Sequence, residues 1–178
     1  MSDFQTILDR LGGLAVAHDA DALDPWVEVR PSDAADVLKL LRDDLGFDML
    51  NDLTAVDYLE TDPKHLKKFP YEPHIEVVYR LTSLATRERV TVKSSLPRPD
   101  VHADPPQTWA DVPAPRVPSA AGLFPAANWH ERECFDLFGV EFTGHPNLTR
   151  ILCAEDWTGH PLRKDYEFPE QYHGIRAR

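Results

Sequence analysis

Residues 128–151 read NWHERECFDLFGVEFTGHPNLTRI. Asn128 is a good helix N-cap, and Glu131 three residues on completes a capping-box pattern. Gly139 supplies the stop that glycine commonly gives at a helix end. The span between them predicts a helix of about ten residues. On a wheel of about 100° per residue, Leu137, Cys134, Phe138 and Phe135 form one apolar arc. Arg132, Glu133 and Asp136 form the opposite arc, where Arg132 and Asp136 are placed to pair as i,i+4 neighbours. Glu131 breaks the pattern, because its angle falls inside the apolar arc between Phe138 and Phe135. One reading makes it the reciprocal cap. The other makes it a partly buried carboxylate that needs an Arg, Lys or backbone partner, since an unpaired buried charge is costly.

Upstream, Phe4 to Leu11 reads as an amphipathic helix and Leu14 to Ala17 as a short apolar run. Trp26 to Val29 alternates like a strand. Pro31-Ser32 opens a helix carrying Val37, Leu38, Leu40, Leu41 and Leu45, with Gly46 as its stop. Phe47 to Tyr58 predicts one or two strands, and Asp62 to Pro73 a polar hairpin loop. Ile75, Val77, Tyr79 and Leu81 recur at period two, the clearest strand in the chain. Arg89 to Ser95 repeats that pattern and is expected to pair antiparallel with it. Pro97 to Pro118 holds seven prolines, which rules out a core helix or central strand. It reads as an extended surface excursion, either wrapped on a neighbour or a loose insertion. Ser119 to Phe124 is expected to be a short helix. Beyond Leu152 apolar periodicity is lost.

This order predicts an α+β fold: a mostly antiparallel sheet with helices packed on it, followed by an extended C-terminal arm. The expected division is a compact domain over 1–143 and an arm over 144–178 that docks on partner subunits. At 178 residues, 42% hydrophobic and 28% charged, the composition suits one globular domain. A net charge of −11 argues against nucleic-acid binding and against docking on anionic lipid. No apolar run is long enough to span a bilayer. The N-terminus lacks the basic and apolar regions of a signal peptide, so residence in the cytoplasm is expected.

Three blocks of residues resemble one family. Glu131-Arg132-Glu133, Asp136-Leu137-Phe138, His145 and Arg150-Ile151-Leu152 are similar to the signature of the C subunit of bacterial NADH-quinone oxidoreductase, respiratory complex I. Asp156-Trp157-Thr158-Gly159-His160-Pro161-Leu162-Arg163-Lys164-Asp165-Tyr166 resembles the family's closing motif. Pro118-Ser119 and Phe124 to Trp129 resemble its lead-in. The likeness is close from Pro118 to Tyr166 and rests on element order upstream. Thr149 stands where the family is usually basic. Glu167 and Phe168 precede Pro169 where the family reaches proline directly.

The resemblance implies a cofactor-free structural subunit of a proton-translocating NADH:quinone oxidoreductase. The FMN, iron–sulfur clusters, NADH and quinone of such a complex would be held elsewhere. Expected partners are other peripheral-arm subunits, especially those forming the quinone cavity and holding the terminal cluster. The expected location is the cytoplasmic face of the bacterial inner membrane, without direct insertion. Interface candidates are Glu131, Arg132, Glu133, Asp136, His145, Arg150, Arg163, Lys164 and Asp165; a local ion pair or cap is the competing role for each. The residues themselves fit this reading. There is no GxGxxG or P-loop, no recognisable nucleophile elbow, and the two cysteines, Cys134 and Cys153, form no cluster motif. Two alternatives remain open. One is the same role in a related membrane complex fed by ferredoxin, a deazaflavin or hydrogen. The other is a metal hydrolase using His130, Glu131 and Cys134, which would need a third ligand.

Overall fold

The computed structural model describes residues 4–60, 63–68, 71–99 and 113–176. Its centre is a five-stranded sheet of order β1-β2-β5-β4-β3. The strands are β1 (Ala15–Asp19), β2 (Trp26–Val29), β3 (Met49–Tyr58), β4 (His74–Thr82) and β5 (Arg89–Pro97). All neighbours pair antiparallel except β2 with β5. The period-two pattern of β4 fixes its register: Ile75, Val77, Tyr79 and Leu81 are essentially fully buried. A slip of one residue would turn that whole set to solvent. Val90 and Val92 face the same core from β5, and the expected antiparallel pairing of the two strands is present.

Helices α1 (Phe4–Leu11), α2 (Ala34–Asp43), α3 (Pro63–Lys68) and α4 (Ala127–Phe138) complete the α+β fold. Val37, Leu38 and Leu41 of α2 are fully buried, as their helical spacing requires. α4 lies against edge strand β3, where the Cys134 thiol reaches the Leu53 carbonyl at 3.9 Å. Two short strands, β6 (Arg116–Pro118) and β7 (Glu141–Thr143), pair parallel and bracket α4. The last described residues form a hairpin of β8 (Gln171–Tyr172) and β9 (Ile175–Arg176). Its turn residues His173 and Gly174 both have positive φ, 50° and 76°, the backbone that a two-residue hairpin with the sheet's twist requires.

Several local expectations are corrected. The expected hairpin loop contains α3, while Phe47 to Tyr58 forms a single strand from Met49, within the expectation of one or two. Residues 121–123 form a turn, not a helix: the Leu123 and Phe124 amides both return to the Ala120 carbonyl at 2.9 Å, and the turn is not continued. Of the proline-rich excursion, residues 100–112 lie outside the described residues. Asn128 does not cap α4: the helix begins two residues earlier than that cap implies, with Ala126 at the cap position and no side-chain capping bond.

The tail is not free of the body. After β7 it runs through turns and returns to α4, where the Leu162 amide donates to the Leu137 carbonyl at 3.0 Å. The Lys164 amide then donates to Asp57 of β3 at 2.7 Å.

Candidate functional site

The resemblance-bearing residues gather around α4 in three linked nodes. The first is Glu131, fully buried, which favours the buried-carboxylate reading of the two left open by its angle. Its carboxylate does not cap the helix. It accepts the Ser119 hydroxyl and the Ala120 amide, both at 2.6 Å. His145 Nε2 lies 3.9 Å away and sits 3.1 Å from the Asn128 carbonyl. The partners are neutral donors, and burial outweighs them, pushing the Glu131 carboxyl up to about 7. Glu131 thus ties α4 to the segment after β6.

The second node is Asp136. Its position on the charged arc placed it to pair with Arg132; the structure shows no such pair. Asp136 is fully buried, and Arg132 turns instead to the Thr149 carbonyl at 3.1 Å and hydroxyl at 2.9 Å. A basic residue at position 149 would face the Arg132 guanidinium, so threonine suits this chain. Asp136 Oδ1 accepts Arg150 at 2.8 Å. Oδ2 accepts the amides of Ile151, Leu152 and Cys153 at 3.0, 2.7 and 2.9 Å. Burial pushes its carboxyl up, but these donors win and hold it below its usual range. One carboxylate therefore folds the chain at 150–153 around itself.

The third node joins the tail to the sheet. Arg98 forms a two-point pair with Asp57 at 2.6 and 3.0 Å and reaches Asp165 at 2.6 Å. Burial works against the Arg98 cation, and the two carboxylates more than offset it. Arg163 Nε donates to the Phe138 carbonyl at 2.6 Å. Burial lowers the Arg163 pKa to about 10. His160 sits between the nodes, its Nδ1 3.0 Å from the Asp136 carbonyl. Burial drives its imidazole down to about 4, so it is neutral near pH 7. The ring packs where a Cβ on Gly139 would stand: the nearest ring atoms would be 2.6 Å away, and Gly139 has φ +73°. Only glycine meets both conditions.

Glu131, Asp136, His145, Arg150, Arg163 and Asp165 thus have internal partners, and Arg132 holds the Thr149 turn. Glu133 and Lys164 have exposed side chains. Beside Arg132 the exposed Trp129 ring lies 5.0 Å from its guanidinium. Motif reading did not single out Asp57, Arg98, Ser119 or His160 as partners. Asp57 did carry a signal: a carboxylate in step with buried Leu53 and Ala55. Arg98, at the edge of a proline-rich stretch, carried none. Among the described residues no three His, Cys, Asp or Glu side chains gather as a metal site. In the proposed zinc set, the Glu131 carboxylate is committed to Ser119 and Ala120, and the Cys134 thiol points at β3 with its pKa raised by burial. Among the described residues no helix is long and apolar enough to cross a membrane.

Known proteins carry the same pattern. A NADH-quinone oxidoreductase C subunit from Roseiflexus sp. (strain RS-1) is 44% identical over 92% of this chain and 83% of its own. The protein of that name from Citrifermentans bemidjiense is 43% identical over 79% of this chain and 72% of its own. The one from Chlorobium phaeobacteroides is 36% identical over 99% and 94%. Among solved structures, a chain of the membrane-bound sulfane sulfur reductase, an archaeal respiratory membrane complex, matches with TM-score 0.66 and 25% identity. That match covers 92% of this chain and 83% of the other. The family model of the respiratory-chain NADH dehydrogenase 30 Kd subunit matches residues 27–172. With its three nodes inside that span, the chain belongs to the 30 Kd subunit family of respiratory-chain NADH dehydrogenase, the family of the bacterial complex I C subunits.

Proposed function

We propose that this chain is a structural, cofactor-free subunit of a proton-translocating NADH:quinone oxidoreductase. It would sit peripherally on the cytoplasmic face of the inner membrane, held by partners that form the quinone cavity and bear the terminal iron–sulfur cluster. The FMN, clusters, NADH and quinone would be bound by those partners. The observation that carries this is how the signature side chains are used. Glu131, Asp136 and Arg150 close turns of their own chain around α4, and Arg163 and Asp165 anchor the tail. Their work is to hold a surface in a fixed shape. Electron transfer depends on parts held in register, and a loosened supporting shell impairs a site it does not touch. The parts left to meet partners are Trp129, Arg132, Glu133 and Lys164, together with exposed Leu162, Phe168 and Ile175 of the tail. Aromatic and arginine side chains are the usual anchors of such contacts.

Purification of the chain from native membranes by an affinity tag tests this. The expected result is recovery of an assembly of several subunits with NADH:quinone activity, while the chain produced alone is colourless. Flavin or cluster absorbance in the isolated chain, or recovery without other subunits, would overturn it. A second reading is the same structural role in a related membrane complex with a different electron donor; the likeness to a chain of an archaeal respiratory membrane complex supports the related-complex part of it. The electron donor accepted by the purified complex separates the two.

A further inference from the structure

The sheet has a second face. Ile75, Val77, Tyr79 and Leu81 take the core side of β4, and Val90 and Val92 that of β5. Arg80, Thr82, Arg89 and Thr91 therefore point the other way. Arg80 lies opposite Thr91 and Thr82 opposite Arg89, so the two arginines are diagonal neighbours, roughly 7–8 Å apart at the backbone. Both are exposed.

Elsewhere on this face charge is matched. Lys93 lies 3.5 Å from Glu76 and 4.6 Å from the centre of the Trp26 ring, and Ser95 donates to Glu28 at 2.7 Å. At Arg80 and Arg89 it is not: among the described residues neither has a carboxylate within ion-pair reach. Asp52, opposite Arg80 on β3, lies 3.9 Å from His130 of α4 instead. The Thr82 hydroxyl donates to Asn51 Oδ1 at 2.5 Å, which leaves the Asn51 amide hydrogens to another acceptor. A cavity of about 280 Å³ opens between these groups, with Asp24 and Pro25 on its wall.

We propose that this cavity takes a single carboxylate side chain from an otherwise neutral or basic segment of a partner polypeptide, held between Arg80 and Arg89. The inference rests on the subunit reading above. Two guanidinium groups side by side repel each other, and a carboxylate between them removes that cost while accepting paired N–H bonds. A chain of net charge −11 repels polyanions such as nucleic acid or an anionic membrane. A local positive pair in that field suits a single carboxylate carried by an otherwise neutral or basic segment, and it would set register.

The test uses the assembled complex. An Arg80→Lys/Arg89→Lys chain keeps the charge and adds amines, which a water-soluble carbodiimide joins to a touching carboxylate. The expected product, read by mass spectrometry, links position 80 or 89 to an Asp or Glu of another subunit. An Arg80→Glu/Arg89→Glu chain should be lost from membranes at least tenfold more than wild type in a moderate salt wash, while melting as wild type does. A link only to Asp24, no link, or equal retention of the charge-reversed chain would overturn the proposal. Should charge reversal unfold the chain, the cross-link decides alone. If the wild-type chain does not copurify with other subunits, the subunit reading itself fails, a distinguishable outcome.

Discussion

Glu131 and Asp136 lie five positions apart on one helix, both fully buried, yet burial treats them oppositely. Asp136 collects three amides and a guanidinium; Glu131 collects one hydroxyl and one amide. The first carboxyl is held down and the second raised to about 7. A folded-state value above the ordinary 4.5 means that Glu131 contributes stability below that pH and loses it as pH rises through about 7. The whole effect is on the order of 3 kcal/mol. His160, lowered to about 4, works the other way: its contribution is present above 6.5 and lost as pH falls toward 4. The two slopes oppose each other between about pH 4.5 and 6.5, so wild type is expected to be nearly flat there as far as these groups go. Glu131→Gln mimics the protonated acid. Its stability relative to wild type, from urea titrations, should climb as pH rises from 5 to 8; a constant difference would refute the assignment. For Asp136→Asn the expectation is a loss of about 3 kcal/mol at pH 7. An amide has one oxygen and cannot satisfy both Arg150 and three N–H donors.

At the scale of elements, α4 is held both by the burial of Ala127 and Cys134 and by what its polar residues and its end meet. Gly139 closes it in the left-handed region and admits the His160 ring at a distance no Cβ allows. Gly139→Ala should cost more than the roughly 1–2 kcal/mol of backbone strain alone, because the ring must also move. In a double-mutant cycle with His160→Ala the losses should fall short of additive. Additive losses would show that ring and glycine act separately. The helix itself was legible from Gly139 and the apolar spacing of Cys134, Phe135 and Phe138. Its start was not, since Ala126 takes the cap position with no side-chain bond. The angle of Glu131 left burial open, and a wheel cannot say whether the reciprocal cap or Ser119 receives the carboxylate.

At the scale of the molecule, the tail divides in two. Residues up to Tyr166 are knit to α4 and the sheet through Arg163, Lys164 and Asp165. Beyond them Phe168 and Ile175 are exposed. Deleting Glu167–Arg178 removes exposed contacts such as those of Tyr172 with Trp157 and Asp156 and of Phe168 with Tyr166. It should therefore lower the melting temperature of the isolated chain far less than the longer deletion does, and it should lower incorporation into the complex. Deleting Asp156–Arg178 should depress melting by several degrees or more, because buried Asp57 and Arg98 lose partners. Circular dichroism of both truncations, beside native gels of the assembled complex, checks this. Equal melting of the two would mean that the tail contributes nothing to the body.

The sequence by itself determined the α+β class, the register of β4 and β5 and the membership of the signature block. Alternation and helical spacing are local properties, and a slip in either exposes a whole apolar face. Only the tertiary structure decided what the charged residues do. Arg132 and Asp136 satisfy every local rule for a pair, yet each is taken by a residue more than a dozen positions later. Asp57 finds Arg98 41 positions and the Lys164 amide 107 positions further along the chain. A buried charge takes whichever donor the fold brings within about 3 Å, and spacing along the chain does not encode that distance.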